Sequence, residues 1–167
     1  MRFIGDIIVF LLIVAGVGYG VLKAGFISFQ ANAKPSSFEA DVAMSAVDAS
    51  TDRRASSLKN PVEASDENIL TGVKIYKSNC MGCHGGADPK DNTFGENFYP
   101  PAPQFIDDKP DMSENENFYL VKYGVRWTGM PAWHKMLSDI QIWQVTTFLS
   151  HMDKLPASAD AEWKKKN

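Results

Sequence analysis

Cys80-Met81-Gly82-Cys83-His84 is the stretch on which the reading of this chain turns. Two cysteines separated by two residues and followed at once by a histidine have the spacing of a covalent attachment site for a c-type haem. Each thiol adds across one vinyl group of the porphyrin. The histidine then lies beside the porphyrin face, where its imidazole can bind the iron. Other uses of a C-x-x-C pair fit less well. The chain has two cysteines in all, so there is no second pair for a four-thiolate zinc site. A thioredoxin-like dithiol has no need of the histidine and usually follows a strand, whereas this motif ends a helical pattern. A disulfide across the short loop is the remaining alternative.

Thioether attachment takes place outside the cytoplasm, so the motif requires an export signal, and the N-terminus supplies one. Ile7 to Leu22 is an uncharged run of sixteen residues, and apolar character resumes after Lys23 through Ala24-Gly25-Phe26-Ile27. As a helix the run spans roughly 24 Å, a little short of the ~30 Å hydrocarbon core. Snorkelling by Lys23 and another turn from Ala24 to Ile27 extend it. Ala31-Asn32-Ala33 has the small-x-small pattern of a signal-peptide cleavage site but lies well past the apolar core. The expectation is an uncleaved anchor over 1–29, with its N-terminus in the cytoplasm and the bulk of the chain on the periplasmic side of a bacterial inner membrane. No cysteine near the N-terminus offers a site for a lipid anchor.

Residues 30–64 are rich in Ala, Ser and Asp and poor in large apolar side chains, which predicts a flexible linker. About 35 flexible residues have an end-to-end distance near 30–35 Å. A weak helical signal runs from a Ser37 cap through Phe38, Val42 and Val47, and Leu58 and Pro61 are candidates to lie against the folded part. From residue 65 the patterns sharpen. Ser65, Asp66 and Glu67 read as a helix start, and Ile69, Val73 and Tyr76 share one face running into Cys80. Residues 85–112 hold five prolines (Pro89, Pro100, Pro101, Pro103, Pro110) and form a long loop that needs something to pack on. Ser113 with Glu116, and Ser138 with Gln141, are capping boxes that open two further helices. The first ends near Tyr123-Gly124. The second carries Ile142, Val145, Phe148 and Leu149 and reaches about Met152. Nothing has the period-two pattern of a sheet. The expected fold is all-α, with a folded domain over 65–155 and a C-terminal tail over 156–167.

The net charge of −3 lies wholly in residues 65–167, which carry fourteen acids and eleven bases. It suggests no nucleic-acid partner and makes at most a weak field for a basic one. Asp107, Asp108, Asp111, Glu114 and Glu116 form an acidic run, read as a solvated face or a docking patch.

A haem iron held by one histidine has an open sixth position, and what fills it decides the function. Met130, in Thr128-Gly129-Met130-Pro131-Ala132-Trp133, sits in a loop between two helices, where a thioether can reach an iron. His134 is a nearby alternative ligand. His151 reads as a solvated helix-end residue, and Met112, Met136 and Met152 as core or surface.

Over residues 65–152 the chain resembles the class I monohaem cytochromes c, especially membrane-anchored bacterial forms. Cys80-Met81-Gly82-Cys83-His84 matches the attachment motif, and Gly129-Met130-Pro131-Ala132-Trp133 the loop of the axial methionine. Gly72 and Tyr76 on the first helix, with Phe148-Leu149 on the last, match a close helix crossing. Pro103-Gln104-Phe105 resembles the segment whose proline carbonyl accepts a hydrogen bond from the histidine ligand, with Pro101 a competitor for that role. Arg126 falls where relatives place a propionate partner, and Trp127 and Trp133 read as walls of the haem pocket. The resemblance implies one covalent haem c, bound through Cys80 and Cys83 with His84 and Met130 on the iron and Pro103 and Arg126 in support. It implies a one-electron carrier rather than an enzyme, tethered to the membrane and passing electrons between respiratory or other membrane redox complexes. The alternatives are an electron-accepting cytochrome subunit of a dehydrogenase or oxidase complex, a small haem peroxidase or oxidase with a labile methionine, or a sensor of nitric oxide or carbon monoxide.

Overall fold

The computed structural model describes residues 2–88, 90 and 94–165. Pro89, one of the five loop prolines, lies outside the described residues. The chain divides into two units, Met1–Gln30 and Ala31–Asn167. Among the described residues there are helices and no strands, as the apolar spacing requires.

The first unit is one helix, α1 (Arg2–Lys23), whose uncharged side chains are exposed all round. Its stretch Phe3–Lys23 is long and apolar enough to cross a membrane. At 1.5 Å per residue these 21 residues measure about 31 Å, longer than the uncharged run alone. Membrane anchors and signal sequences share this property.

The second unit is built around α3 (Asp66–Asn79) and α6 (Asp139–Ser150), with α5 (Glu114–Tyr123) against α6 and α7 (Ala157–Lys164) against α3. The starts follow the capping residues. Ser65 Oγ accepts from the Asn68 amide at 3.3 Å, and Ser138 and Gln141 satisfy each other's backbone at 3.3 and 2.9 Å. The Ser113 amide donates to Glu116 at 2.8 Å. Ile69, Val73 and Tyr76 of α3 and Ile142, Val145 and Phe148 of α6 form the centre of the core. The crossing is close because Gly72 has no side chain: a Cβ there would lie 2.2 Å from the Gln144 carbonyl oxygen and 2.8 Å from Phe148 Cβ. The Tyr76 and Phe148 rings meet edge to face at 5.4 Å.

Two segments differ from expectation. The stretch 30–64 contains a 19-residue helix of about five turns, α2 (Ser37–Ala55), capped by Ser36 rather than Ser37. Its apolar Phe38 and Val42 are exposed, and what it buries is Thr51 and Ala55, at 2 % and 0 % exposure. Asn115 of α5 donates to the Ala55 carbonyl at 2.9 Å. Asn60 then bonds Glu114 and Thr147 at 2.8 and 2.9 Å, while Leu58 and Val62 pack against the core. The segment is therefore ordered over 37–62, through small and polar contacts that give no apolar periodicity. The tail is likewise part of the core. Trp163 of α7 lies with its ring 5.4 Å from both Tyr76 and Phe148, and Ala159 is fully buried. Lys77 donates to the carbonyls of Glu162 and Lys165 at 3.0 and 2.7 Å, satisfying the end of α7.

Candidate haem-binding site

The attachment motif sits where α3 ends. Cys80 is the C-cap of α3, and α4 (Met81–His84) is a single turn that begins from it. The Cys80 carbonyl accepts from the amides of both Cys83 and His84, at 3.0 and 2.9 Å. This turn puts two thiols three positions apart on adjoining turns and the imidazole directly after them. Both cysteines are half-buried thiols rather than a disulfide. Burial, and then the neighbouring Cys83, push the Cys80 thiol up to about 12, so it stays protonated.

Segment 95–105 closes over this turn. Gly95 is buried so tightly against Cys83 that a Cβ would lie 2.0 Å from its carbonyl oxygen. Gln104 Nε2 donates to the Cys83 carbonyl at 3.0 Å, and the Phe105 amide donates to the His84 carbonyl at 3.0 Å. His84 Nδ1 lies 3.0 Å from the Pro103 carbonyl oxygen. A carbonyl only accepts, so Nδ1 carries the hydrogen and Nε2 keeps its lone pair. Burial lowers the imidazole pKa, against a smaller upward pull from the Pro103 bond, and keeps the ring in the neutral form that binds metals. The carbonyl belongs to Pro103 and not to Pro101. Phe105 stacks on the imidazole, centroids 4.5 Å apart and planes within 8°. Behind the turn, the buried Tyr76 hydroxyl donates to the Gly85 carbonyl at 2.8 Å.

Met130 stands in a second loop, between α5 and the short 3-10 turn Trp133–Lys135. Thr128 Oγ1 accepts from the Met130 amide at 3.0 Å and donates to the Val125 carbonyl at 2.8 Å. The Val125 amide returns a bond to Met130 at 3.3 Å. Gly124 ends α5 at φ +69°, and a Cβ there would meet the backbone of Pro131 at 2.7 Å. Gly129 has the Phe98 ring where its own Cβ would be, 2.4 Å away. The segment 95–98 thus touches the attachment turn through Gly95 and the methionine loop through Phe98. Met130 itself is half-buried against the core.

Arg126 is exposed, its guanidinium carbon 5.8 Å from the Trp127 ring. Trp127 is 89 % exposed, on a left-handed backbone at φ 61°, while Trp133 packs partly into the core. His134 Nδ1 lies 3.2 Å from the Lys122 carbonyl at the end of α5, and His151 Nδ1 lies 2.8 Å from that of Thr147. Of the acidic run, Glu114 accepts from Asn60 and Ser150, and Glu116 serves the Ser113 cap. These two carboxylates hold the fold together, whatever Asp107, Asp108 and Asp111 do. Gln104, Phe105, Gly95 and Phe98 escaped sequence reasoning as site residues. The one signal for them was the Pro103-Gln104-Phe105 string.

The donor set suits a covalent haem: two reduced thiols at the required spacing, and a neutral imidazole whose Nε2 lone pair is available. Among the described residues no group of three or more His, Cys, Asp and Glu could hold a metal ion. The fold and the attachment turn define a class I c-type cytochrome domain. Residues 67–149 match the family model described as cytochrome c oxidase, cbb3-type, subunit III. This domain carries covalently attached haem c and serves haem-based electron transfer. Searches of characterised proteins and of solved structures each return no significant match.

Proposed function

We propose that this chain is a membrane-tethered one-electron carrier whose iron is held by His84 and Met130. The observation that carries the reading is the 3.0 Å contact between His84 Nδ1 and the Pro103 carbonyl. It fixes the tautomer that leaves Nε2 for the iron, and it makes the imidazole a better donor. The haem supplies a one-electron couple at its iron. Cys80 and Cys83 hold it through thioethers, and the loop closed by Gly124, Thr128 and Gly129 offers the Met130 thioether. Held by His84 and Met130, the iron would have a raised potential and no vacant position, which suits one-electron transfer with little change in coordination. Arg126 is available to a propionate, and Trp127 to the porphyrin.

The helix Phe3–Lys23 is long and apolar enough for a single span. We place the haem domain outside the cytoplasm, on the periplasmic side of a bacterial inner membrane, because thioether attachment takes place there. Donor and acceptor are then membrane redox complexes. The name of the matching family favours one particular arrangement, in which the chain is an electron-delivering subunit of an oxidase complex.

Substitution Met130→Ala in the haem-loaded protein is the test. It is expected to open the sixth position, lower the reduction potential and let carbon monoxide bind the ferrous form. Unchanged potential and no carbon monoxide binding would remove Met130 from the iron. Purification from native membranes in mild detergent separates the two arrangements: a stable oxidase subunit co-purifies with its complex, and a shuttle comes away alone.

A further inference from the structure

We propose that Phe105 is a positioning residue that fixes the plane of the His84 imidazole, and through it the potential of the haem. The inference rests on the reading of His84 as an iron ligand and goes beyond it. A single hydrogen bond from Nδ1 to Pro103 leaves the ring able to tilt about the N···O line. A second constraint is needed to define the plane. The Phe105 ring supplies it, face to face at 4.5 Å and within 8° of parallel.

Phe105 is itself held from two sides. Its amide donates to the His84 carbonyl at 3.0 Å, which ties its backbone to the residue it orients. Its ring lies 6.2 Å from that of Tyr76. Tyr76 is pinned by its hydroxyl on Gly85 at 2.8 Å and by the rings of Phe148 and Trp163, each at 5.4 Å. The rigidity of the core is thus carried by a row of rings, Trp163 to Tyr76 to Phe105, onto the imidazole. An aliphatic side chain at 105 would fill the volume but present no flat face. The ring plane governs how the imidazole π system overlaps the iron orbitals, and it keeps the Nδ1–H aimed at Pro103. Tilting lengthens that bond on average, makes the imidazole a poorer donor and stabilises the ferric state less. Loss of the stack therefore raises the potential.

The test uses the haem-loaded full chain as wild type, Phe105→Leu and Phe105→Tyr. Proton NMR of the ferric form reads the His84 ring resonances and the spread of the haem methyl resonances, which depends on the ligand plane. Redox titration reads the potential. In Phe105→Leu the methyl spread is expected to change, and the ferrous-to-ferric ratio at a fixed electrode potential to rise about threefold, or ~28 mV at 59 mV per decade. Phe105→Tyr is expected to restore both. If Phe105→Leu does not accumulate, Phe105→Met keeps the volume without the flat face and is read in the same way. A folded leucine or methionine variant with paramagnetically shifted His84 resonances, and with wild-type methyl spread and potential, would overturn the role of Phe105 alone. Unshifted His84 resonances in the wild type would overturn the ligand reading, and the role of Phe105 with it.

Discussion

Substituting Gly72 by alanine tests the helix crossing on which the haem domain is built. The added Cβ would lie 2.2 Å from the Gln144 carbonyl oxygen, 2.9 Å from its carbon and 2.8 Å from Phe148 Cβ. Ordinary contact begins at 3.4 Å, so α6 must retreat by roughly 1.2 Å. Two of the three obstructing atoms are backbone, and no side-chain rotation relieves them. The retreat loosens the seam between Ile69, Val73 and Tyr76 on one side and Ile142, Val145 and Phe148 on the other. Overpacking of this kind costs about 1–3 kcal/mol, and backbone obstruction puts this site at the upper end. Alanine also gains ~1 kcal/mol over glycine in a helix interior. The net loss is therefore ~2 kcal/mol. With a urea slope of about 1–3 kcal/mol per molar, the unfolding midpoint of the haem-loaded protein falls by ~1 M. If Gly72→Ala is as stable as the parent, or gains the ~1 kcal/mol of helix propensity, the argument from the close crossing is wrong.

Two further predictions concern the segments that flank the matched domain. Trp163→Ala removes a ring packed on both Tyr76 and Phe148 and should cost ~3–5 kcal/mol. That corresponds to a fall in Tm of roughly 10–20 °C by calorimetry, and a fall of under ~3 °C would mean that α7 is not part of the cooperative unit. The second concerns pH and the docking of α2, where Met44, Asp48, Asp52, Asp111, Met112 and Glu116 line an open cleft of about 320 Å³. A hydrogen bond to Glu116, with burial and the charges of Glu116 and Asp48 behind it, holds the Asp52 carboxyl above its ordinary value. The Ser113 hydroxyl, followed by Asp52, holds Glu116 below its own. The Asp52 contribution to docking is present below the ordinary carboxylate range and is lost as pH rises through the raised value. The Glu116 contribution has the opposite sign, being present above the ordinary range and lost as pH falls. Hydrogen-exchange protection at Thr51–Ala55, corrected for intrinsic rates, should fall more as pH rises through the raised Asp52 value in the wild type than in Asp52→Asn, where only the opposing Glu116 contribution is left. Identical profiles for the two proteins would dismiss the carboxyl pair as a determinant of docking.

The parts of this molecule that could be read from sequence are those with a local rule behind them. Ser65, Ser113 and Ser138 open helices because a hydroxyl followed by acids or amides satisfies orphan backbone donors. The attachment turn was legible because porphyrin chemistry fixes the cysteine spacing, while Gly72 was legible only through the resemblance to the cytochromes c, whose first and last helices cross closely. What stayed hidden depends on pairings between distant segments. Thr51 and Ala55 are too small to make an apolar stripe, so α2 read as linker. Trp163 is one large residue in a short polar helix, and nothing local says that it reaches Tyr76. Phe105 meets His84 only because Gly95 and Gln104 bring the proline-rich segment back onto Cys83. That path depends on contacts far apart in the chain and leaves no periodic trace.

The ordering of α2 changes how far the haem can roam. With residues 37–62 fixed to the domain, the chain between α1 and α2 is Ala24 to Ser36, thirteen residues. A flexible stretch of that length has a root-mean-square span of about 20 Å, against about 35 Å were 24–64 unstructured throughout. The volume swept from a fixed membrane point scales as the cube of the span and shrinks about fivefold. Encounter frequency with a donor or acceptor inside that smaller volume rises by the same factor, and complexes beyond it are out of range. On the proposed anchoring, the two small residues Thr51 and Ala55 therefore do more than finish a helix: they set which neighbours in the membrane plane this haem can serve.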